Sequence, residues 1–240
     1  MIRTARLLIA LCVFPIVASA QDDPLAWFPL QVGSHWVYEY EWKSGDRNRP
    51  NVDRWTSEET ITGWVTIPEG LIVLREVKNH ENSTDQTRTE RTIDPNGELR
   101  FVQEPSYNRG VLTRRHGAPY LVHGNCIYVI SGGWDAQKQE LRPDYRKHVS
   151  EGSLSPDFCF PLQMGREWGN ADIPWRIEPP RDDVGSFLSP AYANAIHIFS
   201  SHFGSGGWMD VWFQQGVGVV GEHYIHNGTY DEYTKKLVSR

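Results

Sequence analysis

Residues 36–43 read Trp-Val-Tyr-Glu-Tyr-Glu-Trp-Lys, with a large aromatic ring at every second position. A period of two is that of a half-buried β-strand, whose successive side chains point to opposite faces; a helix would need a period of 3.6. Similar runs recur, divided by turn chemistry. Trp55 to Ile67 and Leu71 to Lys78 are rich in β-branched residues and flank Pro68-Glu69-Gly70, which predicts a hairpin. Gln86 to Ile93 and Glu98 to Glu104 flank Asp94-Pro95-Asn96-Gly97, with Pro and Gly where a type I turn prefers them. Val217 to His226 and Thr229 to Val238 flank Asn227-Gly228, a short hairpin signal. No amphipathic segment is long enough for a major helix. Gly132 to Ser155 is polar and reads as loop or edge strand, and Ser189-Pro190 can open one helical turn.

The segment Ala195 to Gln215 constrains the architecture further. With Gly204 to Gly207 as its loop, Phe203 faces Trp208 and Phe199 faces Trp212 on one side, while Ile198, Met209, Val211 and Phe213 fall on the other. Apolar residues on both faces require a strand pair covered on both sides. Gln86 to Arg91 is polar on both faces, as at a sheet edge or in a part projecting into solvent. The expected fold is a single all-β domain of ten to twelve mostly antiparallel strands. Its sheet should be strongly curved or an open half-barrel, with a β-sandwich as the alternative.

Arg3 and Arg6 precede an apolar run from Leu7 to Val17, and Ala18-Ser19-Ala20 offers small residues at a cleavage site. Residues 1–20 therefore read as a signal peptide, leaving 21–240 as the exported domain. The run is shorter than the roughly 20 residues that cross a bilayer. Cys12 is not a lipidation site by this reading, because Leu11 stands where a small residue is wanted. The expected location is secreted or periplasmic, without a lipid or transmembrane anchor. Residues 21–240 hold 22 basic against 30 acidic side chains, with no basic cluster to neutralise phosphates, so nucleic acid is not an expected partner. Beyond Cys12 stand two cysteines, Cys126 and Cys159, and an oxidising compartment favours a disulfide between them.

One ten-residue segment recurs. Trp27-Phe28-Pro29-Leu30-Gln31-Val32-Gly33-Ser34-His35-Trp36 returns as Cys159-Phe160-Pro161-Leu162-Gln163-Met164-Gly165-Arg166-Glu167-Trp168. The shared F-P-L-Q-x-G-x-x-W reads as a strand-entry device: Pro blocks the ladder, Gly permits a positive φ, and Trp anchors the next strand. These two segments, with the late Trp212-Phe213-Gln214-Gln215-Gly216-Val217-Gly218-Val219-Val220, resemble a broad group of uncharacterised secreted bacterial proteins. The resemblance implies export and a large curved antiparallel sheet like those of lipoprotein carriers. It brings no catalytic residues.

Candidate chemistry is sparse. Gly216 to Gly221 spells G-x-G-x-x-G, but a dinucleotide site needs that turn to open a helix, and here Glu222 to His226 runs into a hairpin. A glycine-rich bulge is the expected structure, and no cofactor is assigned. His223 and His226 are three apart and His197 and His202 five apart, so neither pair shares a strand face and no metal site is assigned. Ser201 and Asp210 can face each other with His197 on the same side, but four residues along a strand are about 13 Å, too far for a Ser–His pair. The ten tryptophans can fill the core, stack on sugars or line a ligand groove. Trp134, beside Gly132-Gly133, and Trp175, among prolines, are the candidate exposed, ligand-contacting aromatics.

The leading expectation is a non-enzymatic protein that holds an apolar ligand or an envelope component in the concave face of its sheet. The alternatives are an extracellular protein that binds or cleaves glycans, and a structural subunit of a surface assembly.

Overall fold

The computed structural model describes residues 23–81, 87–93, 99–105, 113–171, 173–179, 188–203, 207–226, 228 and 230–240. The signal-peptide reading of residues 1–20 and the turn at residues 94–97 lie outside these, as does Asn227 of the last hairpin. A single-turn helix, α1 (Pro24–Trp27), is capped by Asp23, whose carboxylate accepts the Leu25 N–H. Five strands follow: β1 (His35–Asp46), β2 (Arg49–Ile67), β3 (Gly70–Glu81), β4 (Thr87–Ile93) and β5 (Leu99–Pro105). Next come β6 (Thr113–His116), β7 (Tyr120–His123), β8 (Cys126–Val129), β9 (Trp134–Asp135) and β10 (Glu140–Leu141). Helix α2 (Pro143–Ser150) precedes β11 (Phe158–Cys159), β12 (Glu167–Gly169) and β13 (Pro174–Ile177). The C-terminal meander is β14 (Ile196–Phe203), β15 (Gly207–Gln214), β16 (Gly218–His226) and β17 (Tyr230–Ser239).

Twelve of these strands form one strongly curved, nearly closed sheet in the order β11-β8-β7-β3-β2-β1-β17-β16-β15-β14-β13-β12, and β6 adds to β3. This is the expected all-β curved sheet rather than a sandwich. Among the described residues every strand pairing is antiparallel. The two ends of the path, β11 and β12, are joined by residues 160–166, the second copy of the recurring segment. The Trp168 indole N–H spans the gap, donating to the Asp157 carbonyl at 3.2 Å. At the same end Cys159 and Cys126 are register partners on β11 and β8, and they form the expected disulfide.

Both recurring segments do the same work. The Gly33 N–H donates to Ile61 O and the Ile61 N–H returns to Ser34 O; the Gly165 N–H donates to Ile177 O and the Ile177 N–H returns to Arg166 O. Each glycine has a positive φ, +89° and +79°, which a side chain resists. Each tryptophan then fixes its strand to a remote carbonyl, Trp36 to Val217 at 2.8 Å and Trp168 to Asp157.

The predicted hairpins are present as β2–β3, β14–β15 and β16–β17. β4 and β5 pair as a two-stranded ribbon separate from the large sheet, in keeping with a part projecting from the fold. Gly216-to-Gly221 makes a bulge: Trp212 pairs with Gly221 and Phe213 with Val219, leaving Val220 extra. Gly218 is required there, since a Cβ would lie 2.4 Å from the Phe28 ring. Two expectations need correction. Residues 143–150, read as loop or edge strand, form α2, with Pro143 at its start, Asp144 in its first turn and Lys147 and His148 in its last. In the β14–β15 hairpin Phe199 pairs with Asp210 and His197 with Trp212, two residues away from the expected register, because a shift lies between Ser200 and Phe203.

The main core gathers Trp36, Tyr38, Phe160, Phe213, Ile198 and Leu30 inside the curve. A smaller cluster of Ile72, Leu121, Ile130 and Leu141 lies under the α2 segment.

Candidate functional site

The concave face holds a partly open cavity of about 270 Å³ with two unlike walls. One wall is built by alternation along the strands. On β2 the inward residues Ser57, Glu59 and Ile61 are all buried, as are Lys235 and Leu237 on β17. Lys235 therefore sits at a position whose phase demands burial, with Tyr40 and Glu222 as its register partners. In strand order the inward positions carry Arg75 (β3), Glu59 (β2), Tyr38 and Tyr40 (β1), Lys235 (β17) and Glu222 (β16), so charges alternate in sign around the curve.

These side chains are bonded to one another. Arg75 Nη1 lies 2.9 Å from Glu59 Oε2 and donates to the Tyr120 hydroxyl at 2.9 Å, while Nε donates to Ala118 O at 2.7 Å. Lys235 Nζ lies 3.0 Å from Glu222 Oε1 and 3.7 Å from Glu59 Oε1, and it stands 4.2 Å from the Tyr38 ring centroid. Tyr233 donates to Glu222 Oε2 at 2.6 Å, and Tyr38 to Val219 O at 3.1 Å. Burial alone would raise the Glu59 pKa, but Lys235 and Arg75 outweigh it and hold the carboxyl below its ordinary value. Burial alone would lower the Lys235 pKa, but Glu222, Tyr40 and Glu59 raise it well above the ordinary value. Burial pushes the Tyr120 phenol up to about 12, with Arg75 opposing.

The other wall is apolar: Phe28, Phe158, Trp175, Val129, Met209 and Val211. Phe28 is fixed by edge contacts with Trp36 and Phe213, each at 5.6 Å between centroids. Asp157 interrupts this wall. Its Oδ2 accepts the Val129 N–H at 2.6 Å, and burial pushes its carboxyl up to about 6.

Of the two tryptophans expected to be exposed, Trp175 is not: it is 6% exposed, a register partner of Trp168, and it lines the cavity. Trp134 is half-buried on β9 and packs against the smaller cluster. The exposed tryptophans are Trp42 and Trp64, the second donating its indole N–H to Leu30 O at 2.7 Å.

The opposite face of β14–β15 holds a second polar contact. His197 Nε2 lies 2.7 Å from Asp210 Oδ1, both side chains wholly buried, and Nδ1 donates to Pro179 O at 3.2 Å. Ser201 is exposed on the same strand, and the contact that is formed joins His197 to Asp210. Among the described residues no group of His, Cys, Asp and Glu is arranged to hold a metal, and no helix is long and apolar enough to cross a membrane.

No family model and no curated protein matches this chain. Among solved structures it is similar to a protein of Bacteroides fragilis NCTC 9343, assigned as exported and given a YmcC-like fold. Identity is 9% over 88% of this chain and 96% of that one, with a TM-score of 0.37. It is also similar to a protein of Parabacteroides distasonis ATCC 8503 assigned as a lipoprotein, at 11% identity over 88% and 95% of the two chains, with a TM-score of 0.34.

Proposed function

We propose that this is an exported, non-enzymatic binding protein that holds a small molecule in the cavity of its curved sheet. The observation that carries this reading is the cavity itself, walled on one side by rings and aliphatic side chains and on the other by a hydrogen-bonded charge network. The space of about 270 Å³ is large enough for a small organic molecule and offers it both apolar and polar partners. An apolar cavity of about 150 Å³ already accepts benzene. The ion pairs consume one another's charge, so they serve as a rigid polar wall rather than as reactive groups. Trp175 is the ligand-contacting tryptophan in this reading. Trp134, which packs beneath α2, is not.

Native mass spectrometry of the protein purified from the cells that make it tests this. We expect a polypeptide beginning at Gln21 with an additional bound mass, absent from Val211→Trp, whose indole fills the cavity. A bare polypeptide, together with equal binding of the fluorescent probe 8-anilinonaphthalene-1-sulfonate by wild type and Val211→Trp, contradicts it.

A further inference from the structure

The charges lining the cavity do not balance. Glu59, Glu222 and Asp157 face it against Arg75 and Lys235, an excess of one carboxyl. Four of the five are locked together: Arg75 on Glu59, Lys235 on Glu222 and Glu59. Asp157 feels the charges of Arg75 and Glu222 but is not bonded into that network. It accepts the Val129 amide, and among the described residues it takes part in no ion pair. Asp157 is half-buried, and Arg75 offsets only part of its desolvation, so the remaining cost of its charge is relieved by protonation or by a cation. Beside it stand Phe28, Phe158 and Trp175, rings of the kind that attract a cation as well as an apolar body.

We propose that the cavity selects a small organic monocation, an ammonium group on an aromatic or aliphatic body, with Asp157 as its counter-ion and Phe28, Phe158 and Trp175 as its apolar enclosure. This rests on the reading of the cavity as a ligand site. Lys235 shows the same recognition within the chain: its ammonium lies between two carboxylates and over the Tyr38 ring. The other ionisable groups lining the cavity with Asp157 are Arg75 on β3, Glu59 on β2, Tyr38 and Tyr40 on β1, Tyr120 on β7, Glu222 on β16 and Lys235 on β17. The carboxyl pushed up to about 6 is that of Asp157, so its protonation on acidification is what releases the cation.

Calorimetric titration of the whole protein with phenethylammonium, 2-phenylethanol and phenylacetate tests this, on wild type and Asp157→Asn. The asparagine carbonyl can still accept the Val129 amide, so the loop is retained. At about pH 7.5 the ammonium should bind wild type at least about tenfold more tightly than the alcohol, and phenylacetate more weakly than either. The advantage should vanish at about pH 5 and in Asp157→Asn, with alcohol binding unchanged. Equal binding of ammonium and alcohol, or an advantage that survives Asp157→Asn, overturns the cation inference and leaves the cavity reading standing. Failure of all three probes to bind wild type overturns both.

Discussion

Lys235 and Glu222 face each other on adjacent strands with Nζ 3.0 Å from Oε1, and the same ammonium reaches Glu59 at 3.7 Å across the intervening strand. Both Lys235 and Glu59 are less than a tenth exposed. Lys235→Met removes the cation paired with Glu222, while Glu59 keeps Arg75. Loss of one partner from such a buried network costs about 3–5 kcal/mol. Urea unfolding should show that loss, and Lys235→Arg should recover much of it. A loss below about 1 kcal/mol contradicts a buried, coupled network.

Asp157 and Glu59 set opposite pH dependences. The folded Asp157 pKa of about 6 lies above its ordinary 3.8, so the native state holds the proton more tightly. Stability from this group is full below about pH 4, falls as pH rises through about 6, and changes by at most about 3 kcal/mol. Glu59 is held below its ordinary 4.5, so its contribution is present above that value and lost on acidification. Ligand-free Asp157→Asn should therefore be more stable than wild type at about pH 7.5 and equal to it near pH 4. Thermal unfolding at the two pH values measures the difference, and identical shifts at both would contradict it.

The Cys126–Cys159 bridge ties β8 to β11 at the open end of the sheet, with 33 residues of sequence separation. Closing a loop of that size stabilises by roughly 3–4 kcal/mol in the chain-entropy model. The paired variant Cys126→Ala/Cys159→Ala should lose about that much in urea unfolding. Added reductant should destabilise wild type and leave the variant unchanged.

Three glycines should rank by their surroundings. Gly33 and Gly165 have positive φ but nothing within 4 Å of an added Cβ, so alanine should cost only the left-handed penalty of about 1–2 kcal/mol. Gly218 adds a clash with Phe28 at 2.4 Å to its φ of +98°. Gly218→Ala should cost more than either. Equal losses at all three, measured by urea unfolding, would remove the clash from the account.

Period-two alternation was enough to find the sheet, because each buried face is written locally in residues such as Trp36, Tyr38 and Ile61. The hairpin of Ala195 to Gln215 shows where local reading stops. A two-residue slip preserves which face each side chain takes, so Ile198, Met209 and Val211 share the expected face. It changes every partner, however, and so hid the approach of His197 to Asp210. Helix α2 escapes a reading by alternation because only Tyr145 and Val149 are apolar and none of its residues is fully buried, although Pro143, Asp144, Lys147 and His148 supply start and stop signals. The charged wall had a signal too. Glu59 and Lys235 occupy the inward phase of apolar strands, which marks a buried charge in need of a partner. The partners come from β3 and β16, each the hairpin neighbour of the strand it serves, and the long-range pairing of β1 with β17 joins the two pairs into one network.

The most direct test uses the methionines. Met209 lines the cavity and Met164 is 65% exposed, so the second serves as an internal reference for the first. In protein labelled with carbon-13 at the methionine methyls, phenethylammonium should shift the Met209 signal saturably and leave Met164 unmoved. The Val211→Trp variant should show no shift at Met209. A Met209 signal that stays fixed at saturating probe, or that moves equally in the filled variant, would contradict ligand binding inside the curved sheet.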